Sequence, residues 1–75
     1  MHQENLKLKV ARNMRQVIKE RGLTQAQAGA KIGVSQQRMA SYINTTKPCV
    51  ISAVDLMLFA KAMSKSLNYF YKDNM

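Results

Sequence analysis

Cysteine occurs once in this 75-residue chain, at Cys49. A single thiol excludes an intramolecular disulfide framework, and no His or acid stands at useful spacing to make it a metal site. A lone thiol suits a reducing cytosol, and Cys49 is expected to be a small, partly buried residue next to Pro48. Acidic residues are scarce as well: four Asp/Glu face twelve Lys/Arg, for a formal net charge of +8. That imbalance favours a polyanionic partner, nucleic acid first and an acidic membrane surface second. Long apolar runs are missing. The longest, Leu56–Ala60, falls far short of the ~20 residues of a membrane span. Residues 1–10 mix Glu, Lys and Gln among apolar positions, unlike a signal peptide. These absences predict a cytoplasmic, soluble protein with no membrane span.

Catalytic equipment is absent too. The sequence holds no nucleophile–base pair, carboxylate dyad or phosphate-cradling loop, so neither an enzyme nor a cofactor is expected. The six Met suit core filling rather than metal binding.

What is present is 47% apolar residues, which fits a folded domain rather than a basic tail. The length allows one domain over 1–75, ordered from about 5 to 71. So small a core leaves a partner subunit as a real possibility. The charge is uneven: residues 1–47 carry nine Lys/Arg and two acids, whereas residues 48–75 carry three Lys and two Asp. The first two thirds therefore face the polyanion.

With one Pro and three Gly, breaks are few: Gly22, Gly33 and Thr45–Pro48. Helices are expected between them. Leu6, Val10, Met14, Val17 and Ile18 recur at helical spacing over about 4–21. Thr24 caps a helix from Gln25 to Ile32, and Ser35 caps one from Gln36 to about Asn44. A fourth helix runs from about Ser52 to Met63 with Leu56, Phe59, Ala60 and Met63 inward, and Ser66 caps a short last one. Nothing alternates like a strand. The predicted class is all-α, compact, with five helices.

Two helices of about eight residues joined by a glycine turn make a helix-turn-helix, here over 25–44. Ala28, Ile32, Val34, Met39 and Tyr42 must face inward for the two to cross, and Gly29 is small enough for close approach. The second helix then turns Gln36, Gln37, Ala40, Ser41 and Asn44 outward, with Arg38 to one side. Gln bonds bidentately to adenine in the major groove, and Ala40 can touch a thymine methyl. Tyr42 has two readings: core packing, or a hydroxyl emerging at the DNA side.

Leu23–Gln25, Gly33–Gln37, Phe59–Met63 and Ser66–Phe70 together resemble the Cro/repressor-type (xenobiotic-response-element) helix-turn-helix family, with its lambda-repressor-like fold. The resemblance spans roughly residues 10–71. It implies sequence-specific binding to double-stranded DNA by a transcriptional regulator, as a repressor. It implies base reading by residues matching Gln36, Gln37 and Ser41, with Arg38 and Ala40 beside them. It also implies backbone contacts from Gln25 and Asn44, to which Arg15, Thr24, Ser35, Thr45, Thr46 and Lys47 are added as suitable donors. Many family members carry an Arg–Glu ion pair where this chain has Ile18 and Ile43. The joint change to apolar residues predicts that these two pack together.

The fourth helix has a second apolar face, Ile51, Val54, Leu58 and Ala62. Either the long loop folds back over it, or a second copy covers it. A homodimer using Ile51, Val54, Leu58 and Tyr71 would hold two recognition helices about 34 Å apart and select a palindrome-like operator. Cytoplasmic placement on the nucleoid follows. The alternative is an antitoxin that binds a toxin protein and represses its own operon. A membrane-surface role leaves Gln36 and Gln37 unexplained.

Overall fold

The computed structural model describes residues 3–72, with side chains from residue 6 onward; residues 1–2 and 73–75 of the expected domain lie outside the described residues. Four α-helices follow one another: α1 Gln3–Glu20, α2 Gln25–Lys31, α3 Gln36–Tyr42 and α4 Ala53–Ala62. The expected fifth is a 3₁₀ helix, Leu67–Tyr71. Ser66, expected to cap it, makes no side-chain cap bond. The element is five residues long and closes with tight backbone bonds, from Tyr69 N–H to the Ser66 carbonyl at 3.1 Å and from Lys72 N–H to the Tyr69 carbonyl at 3.4 Å.

Three helix starts are fixed by side-chain caps. Thr24 Oγ1 accepts from Gln27 N–H at 3.0 Å, while Gln27 Oε1 accepts from Thr24 N–H at 2.8 Å. This reciprocal pair satisfies two otherwise orphaned donors. Ser35 Oγ accepts from Arg38 N–H at 3.1 Å, and Ser52 Oγ from Asp55 N–H at 3.1 Å. Ser52 thus caps α4 from outside rather than opening it.

Three helix ends share another device. The N–H groups of Leu23, Val34 and Lys65 reach back to the carbonyls of Ile18, Gly29 and Ala60 at 3.1, 2.9 and 2.9 Å. This Schellman closure needs a left-handed residue just before each donor. Gly22 and Gly33 supply it at φ +66° and +75°, but at α4 the residue is Ser64, at φ +57°.

One apolar cluster holds the elements together. Val10, Met14, Val17 and Ile18 of α1 meet Ala28 and Ile32, Met39, Tyr42 and Ile43, the α4 residues Leu56, Phe59, Ala60 and Met63, and Phe70. Ile18 and Ile43, expected to pack together, are both buried in this cluster. The Phe59 and Phe70 rings meet edge to face, with centroids 5.6 Å apart. Two expectations need correction. Leu6 is exposed although it continues the α1 stripe, and Cys49 is exposed rather than partly buried. Leu6 lies one turn beyond the covered part of α1. Cys49 is held through its backbone N–H, which donates to the Ser41 carbonyl at 3.0 Å.

Asn13 is the buried polar residue of α1 among the described residues. Its Nδ2 donates into the end of the 3₁₀ helix, to the carbonyls of Phe70 at 2.9 Å and Lys72 at 2.7 Å, with Tyr69 at 3.4 Å. Across the molecule, the Arg21 guanidinium donates to the Met63 carbonyl, which ties the end of α1 to the end of α4.

Ser64 gives a direct test. A left-handed L-residue costs roughly 1–2 kcal/mol, and glycine returns roughly 0.5–1 kcal/mol of that as unfolded-state entropy. Ser64→Gly should therefore gain roughly 0.5 kcal/mol in urea unfolding, with a Tm higher by a few degrees. An unchanged or lower midpoint would contradict the assignment of strain to Ser64.

Candidate nucleic-acid interface

The α2–α3 pair depends on one close approach. A Cβ placed on Gly29 would stand 2.8 Å from the Val34 carbonyl oxygen and 3.1 Å from that of Ser35. Gly29 is buried, and its own carbonyl accepts from Ile32 N–H at 3.1 Å and Val34 N–H at 2.9 Å. The turn is thus folded onto α2. Ser35 starts α3 from that fixed position.

Burial then sets which side of α3 faces out. Met39, Tyr42 and Ile43 are buried, while Gln36, Gln37 and Arg38 are exposed. At about 100° per residue, Gln37 and Ser41 lie at the centre of the outer face, with Ala40 beside them and Gln36 and Arg38 at its edges. The Ser41 hydroxyl donates to the Gln37 carbonyl at 3.1 Å, which leaves its oxygen lone pairs outward-capable.

The two readings of Tyr42 can now be separated. Its ring is 4% exposed, and its hydroxyl donates to Asp55 Oδ2 of α4 at 3.0 Å. The Tyr42 hydroxyl oxygen in turn accepts from Arg38 Nη1 at 3.4 Å. The phenol is therefore a core residue whose polar end links α3 to α4. The hydrogen bond to Tyr42, and then the charge interaction with it, raise the Arg38 pKa above the ordinary arginine value, so Arg38 stays a fixed cation. Its guanidinium is drawn to the α4 edge of α3, away from the centre occupied by Gln37.

The remaining expected contacts divide into caps and loop donors. Thr24 and Ser35 use their oxygens as helix caps, which leaves their hydroxyl hydrogens to donate. Gln25 opens α2 and is half-buried. Asn44 Oδ1 accepts from the N–H groups of Thr46 at 2.8 Å and Lys47 at 3.0 Å. Asn44 is thus the residue that shapes the loop, a turn of the Asx type. Thr45, Thr46 and Lys47 are exposed on it. Arg15 is exposed on α1 and shares a depression with Thr45.

The expected dimer residues are placed unequally. Val54 is 66% exposed and Leu58 46%, while Ile51 is half-buried against the core. Ile51, itself in the loop, therefore packs inward on the core, while Val54 is left bare. Met57, at 58%, and Val50, at 69%, extend the apolar surface beyond the expected set. Tyr71 is exposed and lines a groove of about 410 Å³ with Leu6, Val50, Ile51 and Leu56.

Sequence reasoning missed Gln27, although Thr-x-x-Gln is a readable capping box. It also missed Asp55 and Asn13, whose partners lie 13 and more than 50 residues away. Among the described residues no His/Cys/Asp/Glu group could hold a metal ion, and no helix is long and apolar enough to cross a membrane. No family model, curated protein or solved structure matches the chain.

Gly29→Ala tests the close approach. Alanine would return about 1 kcal/mol of helix propensity. The methyl would press on two backbone oxygens, which cannot rotate away, and overpacking of this kind costs about 1–3 kcal/mol. The clash should win, with a net loss of roughly 1 kcal/mol in urea unfolding. A stabilised variant would show that α2 does not need this approach.

Proposed function

We propose that the chain is a sequence-specific regulator of transcription, acting as a repressor, that binds double-stranded DNA as a homodimer. The α2–α3 pair serves as its helix-turn-helix, in a lambda-repressor-like arrangement with the 3₁₀ helix as the fifth element. The observation that carries this reading is the outer face of α3. Gln37, Ser41 and Ala40 stand at its centre without a formal charge, while Arg15 and Lys47 stand on flanking elements. A neutral amide face cannot attract a polyanion from a distance, but it can discriminate base edges once there. The cations supply the sequence-blind attraction.

The dimer follows from α4. Buried Leu56, Phe59, Ala60 and Met63 occupy one side, and Val54, Met57 and Leu58 are exposed on the other. Leu6, Val50 and Tyr71 add exposed apolar surface along a groove of their own. Exposed apolar side chains grouped on one helix face mark an interaction surface. Two copies joined through α4 would place two α3 helices for successive major grooves, about 34 Å apart.

The test is a titration of the protein with duplexes of varied sequence at 50 and 200 mM salt, concentrations chosen for about a 10³-fold or larger loss of affinity if several phosphates are contacted. One preferred, palindrome-like site is expected. Gln37→Ala should cost about 1–3 kcal/mol at that site and little elsewhere. Weak binding that ignores sequence would overturn the proposal. For the dimer, Val54→Glu should give a monomer in sedimentation equilibrium and weaken binding to the full site far more than to a half-site. A Val54→Glu protein that remains dimeric would remove α4 from the interface.

A further inference from the structure

One charged feature extends beyond the contacts already assigned: it joins Arg15 and Thr45 to Arg12 and Lys19, which so far have no role. Arg12, Arg15, Gln16 and Lys19 of α1 and Thr45 of the loop line a depression of about 250 Å³. Arg12, Arg15 and Lys19 stand at i, i+3 and i+7, one stripe of the helix. All three are exposed, and among the described residues none has a hydrogen-bond or ion-pair partner. Gln16 bonds to Glu20 Oε2 at 3.3 Å, which holds that carboxylate on its own helix, and no acid lines the depression.

We infer that this cleft is a second phosphate-binding site, which takes the DNA backbone beyond the segment read by α3. The inference rests on the proposed DNA binding and extends it. Three like charges around one hollow repel one another, and an anion among them relieves that repulsion. The opposite wall is Thr45, held in place because Asn44 Oδ1 ties down the next two backbone N–H groups. Arginine suits the site because its fork matches phosphate oxygens in pairs. The geometry also sets the reach. From residue 12 to residue 19 the helix rises about 10 Å, which is the axial rise of about three base pairs. The stripe is therefore long enough to follow a strand past the loop, not only to hold one phosphate. A duplex is favoured over a free anion because the cleft is continuous with Thr45, next to Thr46 and Lys47, on the loop that flanks α3.

The experiment compares the intact protein with the double variant R12Q/K19Q, which changes two exposed side chains and no capping bond. Circular dichroism and urea unfolding verify that it folds. Each protein is titrated by fluorescence anisotropy, over 50–200 mM salt, with two duplexes. One ends at the edge of the preferred site and the other continues for about six further base pairs, beyond the ~10 Å reach of the stripe. On the longer duplex the variant should bind about 10–100-fold more weakly at low salt. Its salt slope should fall by about 1.8 for each protomer that reaches the extension, from two lost phosphate contacts at about 0.9 each. Its preference among sequences should be unchanged, and the short duplex should be bound nearly as well as by the intact protein. An equal affinity and slope for both proteins on the longer duplex, with the preferred site still found, would overturn the cleft while leaving the regulator standing. Binding of inorganic phosphate alone, seen as NMR shifts at Arg12 and Thr45 with no difference between duplexes, would overturn the DNA assignment of the cleft. Failure of the intact protein to select any duplex would overturn the proposed function and the cleft with it.

Discussion

The absent side chain of Gly29 constrains everything on the α2–α3 side of the molecule. Two backbone carbonyls occupy the space that a Cβ would take. That proximity fixes where the turn leaves α2, and so where Ser35 begins α3. Met39, Tyr42 and Ile43 then have only one direction in which to be buried, and the outward direction of Gln37 and Ser41 follows. A side chain on the outer face is thus oriented by a contact on the opposite side of the pair. The requirement is stereochemical, so hydrophobic residues of similar volume elsewhere can vary without moving it.

The parts of this arrangement that were legible in the sequence are those set by local rules. Thr24 and Ser35 announce helix starts because an oxygen beside a free N–H group is satisfied within three residues. Gly22 and Gly33 announce helix ends because left-handed backbone favours glycine. The α4 end was harder to read, since Ser64 takes the same conformation without the residue that advertises it. Cys49 and Leu6 were misjudged for a different reason. Their exposure depends on where the loop and the final turn come to rest, and neither is a property of helical periodicity. Tyr42 shows the same limit inside the candidate site. Its spacing marks it as inward, but only the fold brings Asp55 to its hydroxyl. The polar link it makes to Arg38 then decides on which edge of α3 that cation sits.

The distribution of charge supports a division of labour in the proposed complex. Long-range attraction acts through net charge and is screened within about 10 Å at ordinary salt. Selectivity acts through hydrogen-bond geometry at contact. A strongly cationic outer face on α3 would confuse the two by binding every sequence well. Here the centre of that face is formed by Gln37, Ser41 and Ala40, and Arg38 is held toward α4 by Tyr42. Arg12, Arg15 and Lys19 of α1 lie beside Thr45, on the loop that follows α3. Asn44 serves this division by spending its acceptor on the loop backbone, so that Thr45 and Lys47 keep a defined position relative to Gln37.

Asn13 shows how so small a domain affords a specific closing contact. Burying an amide costs free energy unless its donors are used, and its Nδ2 has backbone carbonyls of the terminal turn within reach. A leucine there would pack equally well against many arrangements of Leu67–Tyr71. The amide is satisfied only when those carbonyls converge on it, so it selects one arrangement rather than adding much net stability. Phe70 is then seated against Phe59, and the inner side of α4 is filled. With that side complete, no apolar segment among the described residues remains to cover Val54, Met57 and Leu58. The closure of the core at Asn13 and the exposure of α4 are thus two consequences of one packing solution. On this coupling rests the proposal that a second copy of the chain covers α4.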